Sequence, residues 1–485
     1  MAEKVQLARA TLISPSVGRI LKSQLVAFAL LVIVLVGCFV LGGSARGDVA
    51  SLIVLRPVVA VALTGGLLCL DAQDIRANRV LLAFSAAIAA LPLLFLIPLP
   101  PEIWTRLPGR ELVAEIDRAA GLGSLWRPLT LAPDATWNAF YAGLVFLTVV
   151  VLGVHLREGQ RQLLLTAILA LGGCSIAVGL LQAAGSPESP LYFYQVTNNG
   201  AQVGLFANRN HHALLVAMML PMLWVVAVQL LRGGPRQRVL GLAAIASGVA
   251  LLPLLLLIGS RGGLLCGAAA LLSLPFLVGA GPPRPRHAAT TVAERLRHRA
   301  PLLAAGGLAT VGGVVLLLTV SWGQGFALDR LLSQAIAEDM RWRMLPTVAG
   351  MAVRYWPVGS GVGTFEKAFK VSEPDALLGP EYVNHAHNDW LELLVTTGVF
   401  GLVMLAIAAF ALVAQGRRAW SGPGPTGNEV RRARLGIVLI GLAAFASLGD
   451  YPLRVPSLAA VFAVAVIWAG CPFALRGPMT EPEKP

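Results

Sequence analysis

Apolar runs of about 18 residues or more return along the whole chain, and each is long enough to cross a bilayer as a helix. That recurrence points to one fold class, an all-α polytopic integral membrane protein with about 12 transmembrane helices. The expected spans fall near 24–42, 51–70, 80–98, 136–155, 163–184, 211–231, 239–259, 262–280, 301–321, 388–415, 435–450 and 455–474. Of the 485 residues 56% are hydrophobic and 13% charged, whereas a soluble chain carries roughly a quarter charged. No large water-soluble domain fits between the runs. The first run begins near Gln24 without a clear small-residue cleavage site, so it reads as a retained helix rather than a signal peptide. Cys38, Cys69, Cys174, Cys266 and Cys471 lie inside apolar runs with no CxxC or CxxH spacing. Neither a disulfide framework nor a zinc site is expected from them.

The net charge of +13 follows from the positive-inside bias of membrane proteins rather than from nucleic-acid binding. No basic stretch is interleaved with aromatic residues as a nucleic-acid groove would need. The N-terminal arm carries Lys4, Arg9, Arg19 and Lys22; stretch 281–300 carries five arginines; stretch 416–434 carries Arg417, Arg418, Arg431, Arg432 and Arg434. With twelve spans these segments and both termini share one side, the cytoplasm. The opposite, outer face then holds loops 99–135, 185–210 and 322–387. The first has room for a short amphipathic helix at the interface. The third, between spans 9 and 10, is long enough to be functional.

Polar chemistry gathers at the outer face. His211, His212, His385 and His387 stand where loops enter helices, whereas His155, His287 and His298 read as solvated cytoplasmic residues. In His385-Ala-His387-Asn388-Asp389-Trp-Leu-Glu392, Asp389 and Glu392 have capping-box spacing, and Asn388 can share that duty. A cap does not explain two histidines. The positive end of the helix dipole favours a neutral imidazole, which suits a general base. Metal ligation by His385, His387 and Asp389 would suit an extended strand and ranks below the base. Arg209, Arg261, Arg341, Arg343 and Arg454 fall on a face where positive-inside statistics disfavour arginine. Arginine suits bidentate phosphate recognition, and Arg261 has no acidic neighbour in sequence. Arg454 either pairs with Asp450 or joins an anion site. Arg330 and Arg354 read as solvated loop residues. Segment Gly359-Ser-Gly361-Val-Gly363-Thr-Phe365 lacks a nucleotide-fold context and reads as a tight bend, or as a close approach of backbone to ligand. An imidazole base among arginines could bind a lipid-linked diphosphate and activate a hydroxyl nucleophile.

The pattern His387-Asn388, nine residues, Gly398, two residues, Gly401 resembles the signature of the bacterial O-antigen ligase and polymerase superfamily, which includes O-oligosaccharyltransferases. The GLFANRNHHA segment, Ser260-Arg261-Gly262 and the glycine-rich segment are similar to that family too. Asp450-Tyr-Pro-Leu-Arg454 resembles members associated with exopolysaccharide clusters. The resemblance covers roughly residues 190–415. It implies a GT-C-like glycosyltransferase in the bacterial inner membrane, acting at the periplasmic face without a metal or other cofactor. It divides the chain into arm 1–23, helices 24–184, an O-antigen ligase-like catalytic region 185–415, and a segment 416–485 with the last two helices. The donor would be a glycan on undecaprenyl diphosphate and the acceptor a glycan or lipid hydroxyl. His387, with His385 and Asn388, would act on that hydroxyl. Arg261, Arg341, Arg209 and Arg454 would hold the diphosphate. Protein O-glycosylation is an alternative, and transport of a lipid-linked glycan ranks below transfer.

Overall fold

The computed structural model describes residues 15–278, 335–379, 382–421 and 427–470. The expected ninth span, the basic stretch 281–300 and the start of loop 322–387 lie outside them. Nine helices among the described residues are long and apolar enough to cross a membrane. The N-terminal ones are α1 (Pro15–Leu41), α2 (Leu52–Cys69) and α3 (Ala72–Phe95). A short helix α4 (Glu111–Ala119) precedes α5 (Pro133–Gly153) and α6 (Glu158–Ala184). Helices α7 (Arg209–Leu230), α8 (Pro235–Ile258) and α9 (Arg261–Val278) follow. Then come α10 (Ala335–Arg354), α11 (Phe365–Ser372), α12 (Asp389–Ser421), α13 (Asn428–Ala446) and α14 (Pro456–Gly470). Neither α4, α10 nor α11 is among the nine. Nor are α13, which opens on Asn428-Glu-Val-Arg-Arg-Ala-Arg434, and the shorter apolar α14, although both fall on expected spans.

Helix α7 is the central post, with 72% of its most apolar window buried. Its neighbours α8 and α9 meet at Gly259 and Ser260 with almost no loop. Gly259 supplies the left-handed turn (φ +66°), and a side chain on Gly263 would run into Ala213 of α7. The glycine therefore lets α9 lie directly on α7.

Loop 99–135 contains the expected amphipathic helix, α4. Its ends close as a two-residue antiparallel ladder, with Pro98 opposite Pro128 and Leu99 opposite Arg127. Arg110 is buried and donates to the carbonyls of Pro108 (2.8 Å), Leu129 (2.7 Å) and Gly359 (2.8 Å). It thus joins loop 99–135 to the glycine-rich segment. Leu131 N–H to Ser360 O (2.9 Å) and Thr136 Oγ1 to Val362 O (2.8 Å) extend that junction.

The glycine-rich segment packs closely against other backbone of the protein. Gly359, Gly361 and Gly363 all have positive φ (+89°, +118° and +82°). Ser360 N–H reaches Val395 O and Gly361 N–H reaches Thr396 O, both at 2.9 Å. This backbone pairing sits where α12 breaks at Gly398 (φ +53°, ψ −133°). The close approach expected from the glycines is to a broken helix.

His155, expected as a solvated residue, is buried, and its Nδ1 lies 2.9 Å from Asp74 Oδ2. Helix α5 ends at Gly153, and the turn after it brings His155 to Asp74 in the first turn of α3. Arg354 ends α10 and faces Glu111 at 3.7 Å.

Candidate functional site

Asn388 caps α12. Its Oδ1 accepts the Leu391 amide at 3.0 Å, and its carbonyl accepts the Glu392 amide at 3.0 Å. The expected capping box on Asp389 and Glu392 is therefore corrected: the cap is one residue earlier, and both carboxylates have other partners. Glu392 is 1% exposed and reaches back past the cap. Its Oε2 accepts the Ala386 amide (2.8 Å), while Oε1 faces His385 Nδ1 (3.0 Å) and Arg454 Nη2 (3.1 Å). Arg454 Nε also donates to Asp389 Oδ1 at 3.1 Å. Asp389 is further held by the Ser447 hydroxyl (3.2 Å). The expected Arg454–Asp450 pair does not form, because the turn Pro452–Arg454 carries the guanidinium back to the start of α12. Burial would lower the Arg454 pKa, but Glu392 and Asp389 outweigh it and raise it.

His387 is the residue before this cap. It is the non-glycine residue with a positive φ (49°) among those described, a conformation that turns the chain sharply into α12. Its ring is mostly enclosed, with 22% of the side chain open, and Nδ1 lies 3.8 Å from Asp450 Oδ1. No hydrogen bond to Nδ1 forms among the described residues. Burial pushes the imidazole down to about 4; Asp450 opposes this, and Arg341, His385 and His211 add to it. The neutral ring expected at a helix mouth thus owes its state chiefly to desolvation.

Asp450 is the hub of the cluster. Asn210 Nδ2 donates to its Oδ2 (2.8 Å), and the Tyr451 amide to its Oδ1 (2.9 Å). His211 Nε2 is 3.5 Å from Oδ1. Burial would raise the Asp450 pKa, but His211, His387 and Arg341 hold it below the usual carboxylate range. Asn210 in turn accepts the Ser260 hydroxyl at 2.8 Å, and Ser260 accepts the Gly263 amide at the start of α9 (2.9 Å). Arg261 is the first residue of that helix. Asn208 caps α7 by accepting the Asn210 amide (2.9 Å), and Arg209 opens the helix. Arg341 reaches over from α10 and donates to Gly449 O at 3.0 Å. The Tyr451 ring packs among His385 (4.4 Å between ring centres), His387 (5.0 Å) and His211 (5.2 Å). Burial raises its phenol to about 12.

The geometry thus brings His385, His387, Asn388, Arg341 and Arg454 into one half-buried cluster around the buried Glu392 and Asp450. Through Ser260 and Asn210 it links the starts of α9 and α7, where Arg261 and Arg209 stand. His212 turns away and binds Gln202 O at 2.9 Å, anchoring the preceding loop. Sequence reasoning missed Asp450 as the partner of His387, along with Tyr451 and Asn210. In the sequence Asp450 is offered only as a partner for Arg454, four positions on. No group of three His, Cys, Asp or Glu side chains placed to hold a metal occurs among the described residues. His385 and Asp389 face Glu392 and Arg454, apart from His387.

The class defined here is a polytopic helical membrane protein with an imidazole, a carboxylate and an arginine clustered at one end of its bundle. A family model described as O-antigen ligase matches residues 246–406. Over that stretch the chain is similar to the O-antigen ligase family, the family its histidine signature resembles. The match takes in Arg261, Arg341, the glycine-rich segment and the helix mouth; Asn210, His211 and Asp450 lie outside it. No curated protein matches the chain.

Proposed function

We propose that the protein is a glycosyltransferase that moves a glycan from undecaprenyl diphosphate to an acceptor hydroxyl at the periplasmic face of the bacterial inner membrane. The observation that carries this reading is the enclosed His387 imidazole, which lies with Arg341 in the stretch matched by the O-antigen ligase model and faces Asp450 beyond that stretch.

His387 takes the proton as the acceptor oxygen attacks the anomeric carbon. Asp450 stabilises the imidazolium that forms. The bond from that carbon to the phosphate oxygen breaks, and its electron pair leaves with undecaprenyl diphosphate. Negative charge grows on phosphate oxygens, so arginines aimed there stabilise the transition state more than the ground state. Arg341, Arg261 and Arg209 take that role. Arg454, bound to two carboxylates, shapes the helix mouth instead. In-line displacement inverts the anomeric centre. The diphosphate is already an activated leaving group, so the reading assigns no nucleotide, metal or other cofactor. The outer loops limit water, which would otherwise hydrolyse the donor.

The test is His387→Ala in the native host, with protein level checked by blot. The expected result is normal protein, lost surface glycan and accumulated lipid-linked donor. Collapse of the ladder to a single repeat identifies a polymerase; full-length chains trapped on the carrier identify a ligase. An unchanged glycan pattern with normal protein sinks the reading and leaves His387 as part of a helix mouth only.

A further inference from the structure

We propose that His211 is a positioning residue of this site: it steers the Asp450 carboxylate and thereby holds the His387 ring with Nε2 toward the acceptor. The inference rests on the glycosyl-transfer reading and deepens it.

His211 stands in the first turn of α7, with 3% of its side chain exposed. Its Nε2 and the His387 Nδ1 address the same oxygen, Asp450 Oδ1, at 3.5 and 3.8 Å. The second oxygen of Asp450 is taken by Asn210. Tyr451 fills the space beside both rings and gives its amide to Oδ1. The carboxylate is therefore oriented by α7 on one side, and it faces the mouth of α12 on the other.

Both ring nitrogens of His211 are buried without a hydrogen bond of normal geometry among the described residues. Buried polar atoms are normally bonded, and leaving them unmet costs stability. Leucine would fill the same space without that loss. The imidazole makes sense if its Nε2–H tightens onto Asp450 when substrates close the site, since catalytic hydrogen bonds in unliganded proteins are often long. His211 Nε2–H then donates to Oδ1, beside the His387 Nδ1–H that addresses the same oxygen. This fixes the His387 tautomer whose Nε2 lone pair is free for the acceptor proton. The acceptor O–H proton moves to that nitrogen, the acceptor oxygen bonds the anomeric carbon, and the diphosphate departs with the electron pair of the broken C–O bond.

The experiment uses the purified full chain in nanodiscs, with a lipid-linked glycan donor, and compares His211→Leu with His211→Gln. A glutamine amide can place an N–H near the position of the histidine Nε2. The leucine variant should lose about 10- to 100-fold in kcat, part of the about 10²–10⁴ that general-base catalysis supplies, with donor KM unchanged. The glutamine variant should recover most of it. In an Asp450→Asn background His211→Leu should add little further loss, because both act through one carboxylate. Wild-type kcat in a folded leucine variant overturns the proposal. So does a folded glutamine variant as slow as leucine, or full additivity with Asp450→Asn. A wild-type protein that transfers nothing from the donor instead overturns the transfer reading, and this proposal with it.

Discussion

The Val399 amide donates to the Pro357 carbonyl at 2.8 Å, across the point where α12 breaks at Gly398. A β-carbon on Gly398 would collide with that same carbonyl oxygen. Gly398→Ala should therefore destabilise the fold by more than the about 1–3 kcal/mol of its backbone conformation alone. A fall in melting temperature in detergent, together with a lower membrane level, checks this. An unchanged melting temperature would mean that the break does not need glycine.

Arg454 and Arg341 should separate by phenotype. Arg454→Met leaves Asp389 and Glu392 without their shared cation, and breaking such a buried pair costs about 3–5 kcal/mol. The expected outcome is poor accumulation of protein, partly restored by adding Glu392→Gln. Arg341→Gln removes one contact to Gly449 O and should accumulate normally while transfer falls. Blots and donor accumulation in the same strains decide. Equal accumulation of both single variants would refute the division.

His387 is neutral down to about 4 because it is buried, with Asp450 opposing and Arg341, His385 and His211 reinforcing the shift. The acid limb of the pH–rate profile should therefore lie well below the ordinary histidine range of about 6.5. Asp450→Asn removes the carboxylate that raises the ring's basicity, so the limb should move lower still and the maximal rate should fall. The stability sign is separate. Below about 6.5 the unfolded ring binds a proton that the folded ring refuses, so this group's contribution to stability falls as pH drops toward about 4. A rate profile with its limb at the ordinary histidine value would contradict the burial argument.

Arg110 should matter to structure more than to chemistry. Arg110→Met leaves the carbonyls of Pro108, Leu129 and Gly359 without their shared donor, at about 1–3 kcal/mol for each one left buried and unmet. Faster hydrogen exchange over 108–131 and 359–363, with α7 unchanged, is the expected reading. Uniform protection across the chain would refute the joint.

The helices were legible because hydropathy acts locally: wherever an expected span falls among the described residues, a helix stands there. The amphipathic α4 was legible for the same reason. The helix-mouth histidines were legible from their pattern. Their partners were not, since Asn210 and Asp450 are 240 residues apart and nothing local says that they meet. Arg454 misled because it follows Asp450 by four positions, yet the turn at Pro452 sends the two side chains to different carboxylate and imidazole neighbours. The glycine-rich segment reads in sequence as a bend or a close approach of backbone to ligand, and its pairing with the broken middle of α12 is visible only when both strands of backbone are in place.

The order of these residues along the chain also orders events during synthesis. A nascent chain exposes its histidine signature before residue 450 has been made, so it carries the imidazole without the carboxylate. A chain released before the turn after α13 would lack the carboxylate that faces His387.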